Sequence, residues 1–427
     1  MKKIAYHFHV VFGGGLWAYL KALLENLDRQ KYSPVVYFFC KNQERNAEMR
    51  RVLTNLDVPI LELNEEGEPG SNHRSTAIQK GWMETDMAKS QKSNLRETVK
   101  KAILFLLPST VKRYWFYWKR IKKISDIYKS ERIDIFHFVL GYYPRFEIPI
   151  VASMVSGIPT RILDINGGPA LPCDRENQLF KILKYFAGSS GKHIRVPNQR
   201  VKRELREWWK MEEKRMSVIE FGVESEKFTE KIKKTLSRAE MGIGEAQKIL
   251  VLSGRMSEEK GHSVLLKALL RVKEEAQKFI CLFVGEGPLE QELKNQVATW
   301  GLSGQVRFLG FQHDVRPFLN LADLVVVPSS RETGPISVLE GMAAGKPVIA
   351  TDVGAVPQMI VEKETGMIVP TDNPQALADA IIKLLLKNDE ELNRMGELGR
   401  QRVRTYFTQD RCLQRTFSLY EEEATHL

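Results

Sequence analysis

The sequence predicts an α/β protein of two Rossmann-like domains. Three observations carry this. Short apolar runs of strand length recur along the chain, amphipathic stretches separate them, and the alternation starts afresh after one polar, Lys-rich segment at 224–247. The runs Ile249-Leu-Val-Leu-Ser253, Phe279-Ile-Cys-Leu-Phe-Val284 and Leu324-Val-Val-Val-Pro328 are continuously hydrophobic. That pattern marks parallel strands covered on both faces. Such strands are joined by right-handed crossovers, and their ligands bind at the carboxyl ends of the strands.

The elements follow in order. A strand is predicted near 2–8, a helix near 15–29 and a strand near 33–39. Further strands fit 133–138, 159–165, 193–196 and 217–220, the last running into Phe221-Gly222-Val223. The chain has 427 residues, more than one hydrophobic core of ~250–300 residues organises. We therefore expect a first domain at 1–222, a linker at 223–247, a second domain at 248–405 and a terminal segment at 406–427. The last helix, about 410–424, carries Cys412, Leu413, Phe417, Leu419 and Tyr420 on its apolar side.

Residues 64–123 break the rhythm. The part at 64–94 is polar and reads as a loop. Lys100, Lys101, Lys112, Arg113, Lys119, Arg120, Lys122 and Lys123 then alternate with Leu104 to Leu107 and with Tyr114 to Trp118. Basic residues beside aromatic ones suit the headgroup layer of an anionic membrane. A helical insertion packing its aromatics on its own domain explains them equally well.

Composition narrows the classes. The net charge of +11 favours phosphate-bearing or polyanionic partners. Nucleic acid is not expected, because no recognised binding module accompanies the charge. The four cysteines, Cys40, Cys173, Cys281 and Cys412, are scattered, so neither a disulfide framework nor a zinc site is expected. Histidines interrupt the N-terminal apolar stretch, and no apolar run reaches the ~18–20 residues of a membrane span. A cytoplasmic protein, peripheral at most on the inner face of the plasma membrane, is the expectation.

Four strand-to-helix turns carry the candidate chemistry. In 328–354 a strand ends at Pro328, Glu332 lies on the loop, and Pro335 starts a helix that Gly345 stops. The open helix end at Gly334, Pro335, Ile336 and Ser337 suits a phosphate. Glu332 before it and Glu340 within it can each accept hydrogen bonds from a sugar diol. In 252–261, Gly254 and Gly261 flank Arg255 and Lys260, two cations placed to hold a pyrophosphate and to stabilise its charge as it leaves. Gly285-Glu-Gly287-Pro288 is a third turn, where a ligand can approach the backbone. Phe12-Gly13-Gly14-Gly15 is a fourth, without the spacing of a dinucleotide fingerprint.

These stretches together resemble the family 4 retaining glycosyltransferases of the GT-B fold. The likeness runs almost continuously through 254–261, 285–288, the Glu332/Glu340 pair, Gly341 to Asp352 and Gly366-Met-Ile-Val-Pro. It implies two Rossmann-like domains facing each other across a cleft. It also implies sugar transfer from a nucleotide-diphosphate donor to a glycan or lipid-linked acceptor in cell-surface polysaccharide or glycolipid synthesis. Glu332 then contacts the donor sugar, Glu340 the ribose, and Arg255 with Lys260 the pyrophosphate. Gly14 and Gly15 lie near the reacting sugar, and 406–427 returns to the first domain. The family needs no metal or other cofactor. Departures lie in the first domain and beside Glu332. Asn166 stands where the family often has a His, Trp17 where it often has a Glu, and Thr333-Gly334 where Phe-Gly is usual. An amide hydrogen-bonds a sugar but does not exchange a proton near neutral pH. His137 is the substitute nearest to hand, or else a core histidine. A non-catalytic subunit of the same fold and a sugar-nucleotide epimerase are the competing readings.

Overall fold

Thirteen strands form two separate parallel sheets, each wound with helices, among the residues this computed structural model describes: 1–8, 15–39, 43–63, 109–140, 147–166, 193–209, 212–229, 236–275 and 278–424. Two compact units divide the chain. The first holds Met1–Ile165, Ala170–Arg195 and Leu419–Leu427, and the second Asn166–Pro169 and Val196–Ser418. Residues 196–222 group with the second unit.

The first sheet contains β1 (Lys2–Phe8), β2 (Tyr32–Phe39), β3 (Ile60–Leu63), β4 (Ile135–Leu140), β5 (Thr160–Ile165), β6 (His193–Val196) and β7 (Met216–Val218), in the order β3-β2-β1-β4-β5-β6-β7. Helices α1 (Gly15–Glu25), α2 (Gln43–Asn55), α3 (Ser109–Ser130), α4 (Glu147–Val155) and α5 (Gln199–Trp209) follow strands of this sheet. α1 ends four residues short of its predicted limit, where Asn26 caps back onto the Ala22 carbonyl. The stretch 64–108, including most of the predicted insertion, lies outside the described residues.

The second sheet contains β8 (Lys248–Ser253), β9 (Phe279–Val284), β10 (Val306–Phe308), β11 (Leu324–Val327), β12 (Val348–Thr351) and β13 (Gly366–Val369). Its order is β10-β9-β8-β11-β12-β13, with every described pairing parallel. The helices are α6 (His262–Glu275), α7 (Glu290–Thr299), α8 (Arg316–Leu321), α9 (Ile336–Ala343), α10 (Val356–Met359), α11 (Pro374–Leu385), α12 (Asp389–Tyr406) and α13 (Gln409–Ala424). Continuous hydrophobicity made these strands legible, and the reason is visible: every residue of β9 is buried, alternate side chains facing two apolar layers. Each large apolar side chain so covered contributes roughly 1.5–3 kcal/mol. Where helices begin, side chains satisfy the free N–H groups. Asn373 accepts from Ala376 ahead of α11, and Asn388 with Glu391 forms a reciprocal cap on α12.

Both sheets share one consequence. Strand order reverses between β1 and β4 in the first and between β8 and β11 in the second, which opens a crevice at their carboxyl ends. In the first sheet the segments leaving β1 and β4, 9–14 and 141–146, are outside the described residues. In the second sheet both segments are described, and they carry the candidate residues.

Candidate functional site

The second sheet's reversal point gathers the predicted side chains. β8 ends at Ser253, and Gly254 donates to the Val284 carbonyl at 3.0 Å, so the turns after β8 and β9 run side by side. Gly285 has φ +145°, and a Cβ there would lie 2.1 Å from the Gly254 carbonyl oxygen. Only glycine permits that approach. Beyond Arg255 one short helical turn, Glu258–Lys260, closes on Gly261 at φ +70°. A Cβ on Gly261 would meet the Pro328 carbonyl oxygen at 1.9 Å. Two glycines therefore press the turn after β8 against both neighbouring strand ends. α6 starts directly after Gly261, at His262.

That closeness brings the loop after β11 to Lys260. The Ser330 N–H donates to the Glu259 carbonyl at 2.9 Å, and the Lys260 ammonium is ion-paired and hydrogen-bonded to Glu332 Oε1. Both side chains are half-buried, while Arg255 is exposed. Cation and carboxylate from strand ends 72 residues apart thus meet at one point. α9 follows. Pro335 is its N-cap rather than its first residue, and no side chain caps it. Gly334 and Pro335 are buried, and Ile336 and Ser337 are half-buried at the helix mouth. Glu340 lies one turn further in. Burial pushes its carboxyl up to about 7, with Lys260 drawing it down and the Asp314 carboxylate pushing it further up. An acid poised there accepts or donates a hydrogen bond according to pH.

The structure therefore brings together Gly254, Arg255, Lys260, Gly285, Glu332, the Gly334–Ser337 helix mouth and Glu340. Cations and a helix N-terminus offer binding to a diphosphate, and two carboxyls offer hydrogen bonds to hydroxyls. Among the described residues no three His, Cys, Asp or Glu side chains converge as a metal site.

The first-domain candidates fare differently. Gly14 lies outside the described residues, and Gly15 is the first residue of α1. Asn166 is 7% exposed at the end of β5, and its backbone carbonyl accepts the Thr333 hydroxyl. His137 is 0% exposed. Its Nδ1 is 2.6 Å from the Tyr420 hydroxyl and its Nε2 3.6 Å from Asp164 Oδ2. A ring so enclosed does not reach a sugar, so of the two readings of His137 the core histidine is the one that holds. Asp164 also accepts from Arg195 at 2.6 Å, Arg195 lies over the Tyr19 ring at 4.6 Å, and Tyr420 meets Tyr6 at 3.1 Å. Burial alone raises the Asp164 pKa, but Arg195 and His137 outweigh it, so the group stays below the usual carboxylate range.

Three participants were not found in the sequence. Arg195 sits in a short strand reading His-Ile-Arg-Val, a pattern that looks like an ordinary half-exposed strand. Asn198 lies between β6 and α5, and nothing near it in sequence points to its partner, the Thr333 carbonyl. His262 packs edge-on against Phe283 at 5.0 Å, and burial, then Lys260, hold its imidazole down to about 4. It is a neutral packing residue beside the cradle. Of the basic aromatic stretch, α3 is described. Trp118 is 55% exposed, Lys119 and Lys122 are exposed, and Ile121, Ile124 and Ile127 are buried. The side chains of 109–117 lie outside the described residues. No described helix is long and apolar enough to cross a membrane.

Comparison with known proteins follows this geometry. Residues 233–402 match the family described as glycosyl transferases group 1. N-acetyl-alpha-D-glucosaminyl L-malate synthase of Bacillus anthracis is 32% identical over 187 residues, 44% of this chain and 48% of that protein. A lipopolysaccharide core biosynthesis mannosyltransferase of Rhizobium meliloti is 30% identical over 171 residues, 38% of this chain and 49% of that one. The chain thus spans about half the length of the curated relatives it matches. The Anabaena protein HepE, solved in complex with UDP-glucose, superposes with a TM-score of 0.71 at 16% identity, over 100% of both chains. At that identity the likeness is one of fold, and the fold is that of GT-B glycosyltransferases.

Proposed function

We propose that the chain transfers a sugar, with retention of configuration, from a nucleoside-diphosphate donor to a glycan or lipid-linked acceptor, a reading supported by the match of residues 233–402 to the glycosyl transferases group 1 family. The observation that carries this is the meeting of Lys260 with Glu332 ahead of the uncapped mouth of α9, on the turn that also carries Arg255. Arg255, Lys260 and the helix mouth hold the diphosphate. As the bond from anomeric carbon to phosphate oxygen breaks, they stabilise the negative charge gathering on the leaving group. Glu332 accepts hydroxyls of the transferred sugar, and Glu340 accepts those of the ribose. The acceptor hydroxyl attacks from the face the diphosphate leaves, and the departing phosphate oxygen takes its proton. No carboxylate is needed as nucleophile, in contrast to paired-carboxylate hydrolases. Catalysis is then positioning and charge stabilisation, without a metal ion. A relative named for lipopolysaccharide core synthesis and the relation to a protein solved with UDP-glucose support a cell-surface product and a uridine donor.

The test is thermal unfolding with UDP, GDP and ADP in turn. A ligand at 100 times its Kd adds about 2.7 kcal/mol of stability. We expect one diphosphate to do so in the wild type and to lose most of that effect in Lys260→Ala. Indifference of the wild type to all three would remove the reading. A second reading rests on Trp118: an exposed Trp one turn from exposed Lys122 docks α3 on anionic lipid at the cytoplasmic face, close to a lipid-linked acceptor.

A further inference from the structure

Glu332 sits on a loop, and loops hold a functional group in place only when something holds the loop. Lys260 grips the Glu332 side chain, but that is the bond a donor would contest. The neighbouring residue, Thr333, is fixed independently of it. Its carbonyl accepts the Ala355 N–H at 2.9 Å and also the Asn198 side-chain Nδ2. Its hydroxyl donates to the backbone carbonyl of Asn166. Three segments distant in sequence thus close on one residue.

Asn198 is the informative member. It is 0% exposed, and both ends of its amide are in use. Its Oδ1 accepts the Val201 N–H at 2.8 Å, and its backbone carbonyl accepts the Lys202 N–H at 3.2 Å. That is the N-cap arrangement of α5. A carboxamide has one accepting and one donating end. Once the cap claims the oxygen, the NH2 is directed at Thr333, and only an acceptor can satisfy it there. The Thr333 carbonyl is that acceptor. A capping Ser, Thr or Asp would start the same helix but would leave this bond unmade. Capping alone therefore does not require Asn, whereas capping combined with a grip on Thr333 does.

We propose that Asn198 and Thr333 are positioning residues: together they fix the loop that presents Glu332, so the carboxylate keeps its place when Lys260 turns to a ligand. The inference rests on the function proposed above and assigns Asn166 a part in it through its backbone rather than its side chain. Neither residue touches the reacting atoms.

Asn198→Asp separates the two jobs. Aspartate caps a helix as well as asparagine does, but it sets an acceptor against the Thr333 carbonyl. In this variant amide hydrogen exchange across 330–334 is expected to quicken roughly 10-fold, with β8 and β9 unchanged. The transfer rate should fall ~10- to 100-fold through misplacement of Glu332, while the Kd for nucleoside diphosphate moves less than about threefold. In a Glu332→Gln background the same substitution should cost no further rate. Thr333→Val, which removes only the hydroxyl, should show the same pattern more weakly, with Thr333→Ser restoring it; this pair serves if Asn198→Asp does not fold. Unchanged exchange at 330–334 overturns the proposal, and so does an equal loss of rate with and without the Glu332 carboxylate. A wild type that binds diphosphate yet transfers nothing defeats the functional reading instead, and the exchange experiment still decides the clamp.

Discussion

Each unit gathers basic and acidic side chains at one point, yet the two groups differ in their access to water. In the first, Arg195, Asp164, His137, Tyr420 and Tyr6 are all buried and bonded to one another. In the second, Lys260, Glu332 and Glu340 are half-buried and Arg255 is exposed, at the point where strand order reverses. Residue types do not tell these groups apart, but solvent access does. A charge wholly removed from water must be satisfied from within, so it is committed to the fold. A charge left at the rim can change partners, and so stays open to a ligand.

The largest effect should come from breaking the enclosed group. Arg195→Met strands the Asp164 carboxylate in the core and should cost about 3–5 kcal/mol of unfolding free energy in denaturant titration. A loss below about 1 kcal/mol, the range of exposed ion pairs, would erase the distinction drawn here. Glu340 offers an intermediate test, because it is partly enclosed. Its folded-state pKa is raised, so the folded chain holds a proton that the unfolded chain has released. Its contribution to stability is therefore full below the unfolded value and declines as pH rises towards about 7. Between pH 4.5 and 7.5 the wild type should lose about 3 kcal/mol relative to Glu340→Gln, which cannot ionise. Parallel stability curves for the two proteins would show the carboxyl to be ionised throughout. The smallest effect belongs to the most exposed groups. Replacing Trp118 and Lys122 together by Ala should leave stability unchanged and weaken binding to phosphatidylserine vesicles by about 1–2 kcal/mol. Equal sedimentation with vesicles for both proteins would discard the lipid surface as a partner.

The same contrast explains what could be read in the sequence. Strands of the second unit are covered on both faces, so β8, β9 and β11 stand out as apolar runs, and the turns between them carry glycines fixed by backbone contact. Gly261, Lys260 and Glu332 were therefore legible in type and in place. The first unit hides its logic. Arg195 lies in a four-residue strand, and it is enclosed with Tyr19 and Asp164, neither of which local periodicity reports. Nothing near Asn198 in sequence pointed to Thr333. Thr333 itself stood out only as a departure from Phe-Gly. What it gained was a hydroxyl and a partner 167 residues away.

Under the function proposed above, the contact between Lys260 and Glu332 bears on turnover. A diphosphate arriving at Lys260 competes with a carboxylate already at hand, so its net attraction is the difference between two pairings rather than the whole of one. The exchange runs backwards as readily: once the sugar has gone, Glu332 can reclaim the ammonium and loosen the spent nucleotide. A built-in rival of this kind trades tightness for rapid clearance of product, which suits a catalyst that must let go of the same leaving group in every cycle.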